Sequence, residues 1–139
     1  MKTHKISLYT VIAAFAIIIF QACKEKEVDP PITEKKVVFN FTEPASGQMY
    51  GLNDTVHING TISYEDELHG YEVTLVNLSN NDSMVFNEHA HIDGKELTVD
   101  HNWVNNVTGH SNMELRIDAF IDHEGNMKSD TIHFHCHPM

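Results

Sequence analysis

Three features of the sequence predict an antiparallel β-sandwich. Apolar residues alternate with polar ones along most of the chain, turn-forming residues separate those runs, and no stretch of useful length carries a helical period. Val37, Phe39 and Phe41 share one parity and mark a first strand. Val56, Ile58 and Ile62 mark a second, with Gly60 between them, and Tyr71, Val73 and Leu75 a third. Met84 and Phe86 give the fourth, and Leu97 and Val99 the fifth. Met113, Leu115, Ile117, Ala119 and Ile121 give the sixth, and Ile132 and Phe134 the last. Between these runs stand Glu43 to Gly47, Glu65 to Glu67, Ser79 to Asp82, Asp93-Gly94, Asn105 to Gly109 and His123 to Asn126, all rich in residues that favour turns. About seven short strands with short connections specify an all-β fold, a sandwich of immunoglobulin-like type. Trp103 lacks the flanking cysteine pair of antibody domains, so only the architecture is implied.

Length and charge narrow the function. Of 139 residues, about 116 follow the first cysteine, enough for one small domain and too few for two. The chain carries 20 acidic and 9 basic side chains, a net charge of −11. Such a surface repels phosphate backbones, so nucleic acid is excluded as a partner. A hydrophobic content of 41% and a charged content of 21% are those of a globular protein. The 11 histidines are the abnormal count.

At the N-terminus, Lys2 and Lys5 precede an apolar run from Ile6 to Phe20, the form of an export signal and too short for a membrane-spanning helix. The run ends in Phe20-Gln21-Ala22-Cys23, which resembles the bacterial lipobox. That resemblance implies removal of residues 1–22 and acylation of Cys23, palmitate included. Several acyl chains on one residue anchor a protein to a bilayer without crossing it. Residues 23–36, with mixed charges and Pro30-Pro31, read as a solvated tether, and residues 37–139 as the sandwich. A lipidated Cys23 leaves Cys136 as a single thiol, and the parity of Ile132, Phe134 and Cys136 turns that thiol inward.

The histidines follow from the strand count. If consecutive strands are antiparallel, the connections after the second, fourth and sixth predicted strands gather at one end. They bring together His69, His89, His91 and His123, with Asp66, Glu88, Asp93 and Glu124 nearby. The other end receives His57, His101, His110, His135 and His137. A nine-residue strand spans roughly 30 Å, so the two groups cannot share one ion. Residues two apart on a strand share a face, which makes His89-x-His91 and His133-x-His135-x-His137 half-sites for a metal. His69 or His123 would complete the first and His101 or His110 the second. The metal ligands predicted are therefore His89, His91 and His123, then His135, His137 and His101. Imidazole with carboxylate suits zinc or copper. No catalytic residue is predicted, since no nucleophile and base are placed by spacing, and phosphate-loop, serine-elbow and EF-hand patterns do not occur.

The lipobox, the Pro-rich tether, His89-Ala90-His91, His101-Asn102-Trp103-Val104-Asn105, Asp122-His123-Glu124-Gly125-Asn126 and His135-Cys136-His137-Pro138 together resemble small bacterial envelope lipoproteins with an immunoglobulin-like domain of unknown function. The resemblance implies a fold and an address at the outer membrane, on its periplasmic side or the cell surface, and no activity. Two functions of different class are consistent with it. One is a histidine-rich protein holding a divalent transition metal for buffering, delivery or sensing. The other is an interaction module that contacts another envelope protein, with histidines as pH-responsive surface groups.

Overall fold

The computed structural model describes residues 35–138. The predicted signal, Cys23 and all but the end of the tether lie outside the described residues. Eight strands form: β1 (Val38–Glu43), β2 (Met49–Tyr50), β3 (Thr55–Leu68), β4 (Gly70–Asn77), β5 (Ser83–Ala90), β6 (Gly94–Val104), β7 (Ser111–Phe120) and β8 (Met127–Cys136). No helix occurs among the described residues. One sheet has the order β1-β3-β6 and the other the order β2-β8-β7-β4-β5. All pairs are antiparallel except β2 with β8. The chain leaves the first sheet after β3, pairs β4 with β5 in the second, and returns as β6. This is the strand order of immunoglobulin-type sandwiches carrying an extra edge strand.

Alternation builds the core directly. Val56, Ile58, Ile62, Leu97, Val99 and Trp103 face inward from one sheet. Tyr71, Val73, Leu75, Met113, Leu115, Ile117, Ala119, Phe134 and Cys136 meet them from the other. Each fully buried aliphatic side chain contributes about 1.5–3 kcal/mol by leaving water. Gly60 keeps the inward parity of its neighbours without a side chain because Phe41 of β1 lies over it. A Cβ there would stand 2.6 Å from the Phe41 ring.

The strand reading differs from the structure in two places. Two-residue β2 has too few positions to show alternation; it is held by backbone pairing to β8 and by Tyr50, whose ring meets Phe134 edge-on at 5.5 Å. Met84, expected inside, is exposed. The register of β4 with β5 shifts between Leu75 and Val76, a bulge that lets both Val85 and Phe86 pack on the core and turns Met84 outward.

A residue hidden in a predicted turn ties the far end together. Asn105 is fully buried, and its amide nitrogen donates to the carbonyls of Tyr50, Gly51 and His137 at 3.3, 2.7 and 3.2 Å. Its oxygen accepts from the Val107 N–H at 3.2 Å. Loop, β2 and the end of β8 are thus joined through one side chain.

Candidate metal centre

Three connections meet at one end of the sandwich, and the backbone explains why. His69 is the single residue between β3 and β4, where the chain changes sheets. On one side of it, Leu68 pairs with Gly94, which brings the following β6 start, and hence Asp93, alongside. On the other, the His69 N–H donates to the Phe120 carbonyl at 2.9 Å, and Gly70 pairs with Phe120. That stitch draws the β7–β8 turn, with His123, to the same place.

Gly70 makes the tight crossing possible. Its φ is +138°, and a Cβ would lie 2.3 Å from the Ala90 carbonyl oxygen. No side chain fits there, so the β5 end bearing His89 and His91 can close over the crossing.

The β7–β8 turn is shaped by Asp122. Its carboxylate accepts from the Glu124 and Asn126 N–H groups at 2.9 and 3.0 Å and from the Asn126 side-chain amide at 2.6 Å. The Asn126 side chain, then these backbone donors, hold the Asp122 carboxyl below the usual carboxylate range. Ile121 N–H closes the turn on the Asn126 carbonyl at 3.0 Å. With its oxygens engaged by its own loop, Asp122 positions His123 and leaves ligation to other groups.

The result is a cluster of two imidazoles and a carboxylate. His69, Asp93 and His123 each offer a ligand atom, and all three atoms lie within 4.8 Å of one another. His69 Nδ1 donates to Asp93 Oδ1 at 2.9 Å, and the His69 and His123 ring centroids are 3.9 Å apart. The His69 side chain is 17% exposed and that of Asp93 63%, so the group has a sheltered floor and an open side. Together these three side chains could hold a metal ion. An open cavity of about 210 Å³ adjoins the two imidazoles, lined by His69 and His123 and also by His89, His91 and Phe120. The His89 and His91 rings meet at 4.4 Å, and His89 stands 5.4 Å from the Phe120 ring, with Glu72 Oε2 at 4.0 Å from its Nδ1.

Of the residues expected to bind metal, His123 belongs to the cluster and His89 and His91 to its rim. His69 was expected only to complete a site, and Asp93 only to stand nearby; both are central. His135 and His137 do not converge with each other; His137, just past the end of β8, meets His110, one of the two residues expected to complete that site. On the outer face of β8 each histidine meets its own cross-strand neighbour: His133 stands 3.7 Å from Glu114, and His135 Nδ1 donates to Asn112 at 3.0 Å. The reason is metric, since cross-strand neighbours lie about 5 Å apart whereas residues two apart along a strand lie about 6.6 Å apart.

His101 joins neither group. It shares the inward parity of Leu97, Val99 and Trp103, well inside β6, and sits at the open edge between the sheets. There its Nε2 shares a 3.0 Å hydrogen bond with the Tyr71 hydroxyl, and the Phe86 ring is 6.1 Å away. His57 is exposed on β3 opposite Asn102.

Cys136 is inward and free, as its parity predicts. Burial pushes its thiol up to about 11, so it stays protonated and unreactive near neutral pH. No protein-family model matches the chain, and no curated protein matches its sequence.

Proposed function

We propose that this protein is a lipid-anchored protein of the bacterial envelope that holds an exchangeable divalent transition-metal ion, zinc or copper, for buffering, delivery or sensing. The reading rests on one observation above all: His69, Asp93 and His123, from three different connections, present their ligand atoms within 4.8 Å of one another. Nitrogen and carboxylate donors in this number suit zinc or oxidised copper. A structural zinc site closes four protein ligands around the ion; three donors leave the fourth position open, and through that open side an ion can enter and leave. His89 and His91 line the approach and offer an arriving ion transient nitrogen ligands. The net charge of −11 concentrates cations around the domain. The lipid anchor rests on the lipobox-like Phe20-Gln21-Ala22-Cys23 and keeps the ion's carrier at the outer membrane.

The competing reading is an interaction module without metal, which the self-sufficient His69 to Asp93 hydrogen bond favours. Calorimetric titration with zinc and with copper separates them. The metal reading predicts saturable binding of one ion at the loop end, weakened at least tenfold in His69→Ala, Asp93→Asn and His123→Ala. Equal heats in all four proteins would leave the interaction module.

A further inference from the structure

The opposite end of the sandwich carries a second pair of imidazoles with a different chemistry. His110 stands just before β7 and His137 just after β8, one step beyond the last registered pair, Ser111 with Cys136. Their Nδ1 atoms are 2.6 Å apart, with ring centroids at 4.7 Å and planes at 78°. Both backbones are held. The His137 N–H donates to the Tyr50 carbonyl at 2.9 Å, its carbonyl accepts from buried Asn105 at 3.2 Å, and the Ser111 hydroxyl fixes the Gly109 carbonyl beside His110 at 2.9 Å. The neighbouring rung, Asn112 with His135, is already joined at 3.0 Å.

Two ring nitrogens facing each other at this distance hold one proton between them, given by one ring and accepted by the other. Replace that proton by a cation and the same two atoms become the donor set of a two-coordinate d¹⁰ ion. We propose that His110 and His137 form a second metal site, whose two nitrogen donors match the coordination number of a two-coordinate monovalent ion of the copper(I) class. It is distinct from the loop-end cluster, where a carboxylate and a third donor suit a divalent ion. Binding by the neutral pair releases no net proton: the donating ring moves its proton from Nδ1 to Nε2, and both Nδ1 lone pairs then face the ion. Two nitrogen–metal bonds of about 2 Å set the nitrogens about 4 Å apart, an opening of about 1.4 Å that a side-chain rotation of exposed His110 supplies.

Silver(I) is a redox-stable probe of the same coordination class. In a titration of the full chain in detergent, followed by the imidazole ¹⁵N resonances, the His110 and His137 Nδ1 signals should move together and saturate. In His110→Ala the response of His137 should be lost, while zinc binding at the loop end stays within twofold of the parent. Should His137→Ala loosen the end of β8, His110→Ala, in an exposed loop, gives the same readout. Silver that leaves both resonances in place, or a His137 response that survives His110→Ala, would overturn the proposal. Loss of zinc heats with the silver response intact would count against the loop-end reading alone.

Discussion

At the loop end, His69, Asp93 and His123 come from three separate connections and meet; along β8 and just past its end, His133, His135 and His137 come from one stretch of chain and part company. The strand offers more histidines in a tidier pattern, yet it spreads them. A strand repeats its side chains at a fixed pitch, and in a paired sheet the nearest neighbour across the ladder captures each one. Connections have no such pitch. Three of them can aim different side chains at one point, provided the backbone between them is tied down, as it is by Leu68 to Gly94 and by His69 to Phe120.

The strongest way to break this comparison is to spoil the crossing that creates the loop end. Gly70→Ala places a Cβ against the Ala90 carbonyl and forces a backbone conformation that alanine avoids, so it should cost about 2–4 kcal/mol in urea unfolding and abolish zinc binding. Next comes the tie at the other end. Asn105→Ala leaves the His137 carbonyl and the Val107 N–H without their partner, whereas the Tyr50 and Gly51 carbonyls keep backbone donors, and should cost about 1–3 kcal/mol, while zinc binding at the loop end persists in the protein that remains folded.

A direct contrast sharpens the point. Of two exposed histidines, His123→Ala should weaken zinc at least tenfold, about 1.4 kcal/mol, whereas His133→Ala should change it less than twofold.

The smallest effect concerns the inner face of β8. Between pH 9 and about 11 the unfolded chain gives up the Cys136 proton while the folded chain keeps it, so stability falls as pH rises through that window. Burial also raises the Tyr50 and Tyr71 hydroxyls, which act in the same sense. Alkaline unfolding followed by circular dichroism should therefore show a shallower decline, not a flat one, in Cys136→Ala.

Much of this was legible in the residues because two strong physical signals carry it. Period-two burial located seven of the eight strands, and simple alternation of strand direction assigned His69, His89, His91 and His123 to one end. What escaped lacks a local signal. β2 is too short to alternate, and the bulge at Val85 adds a residue that parity counting cannot see. Strand counting assigns His101 to an end, although its parity with Val99 and Trp103 turns it inward. Asp93 and Asn105 sit in segments that read as ordinary turns. Only the pairing of β3 with β6 and of β2 with β8 gives them their partners.

The most direct test is to locate the ion. Crystals grown with one equivalent of zinc, measured on both sides of the zinc absorption edge, should give an anomalous peak among His69, Asp93 and His123. A well-ordered structure with those side chains still bonded only to one another, and the zinc signal absent or elsewhere, would contradict the account.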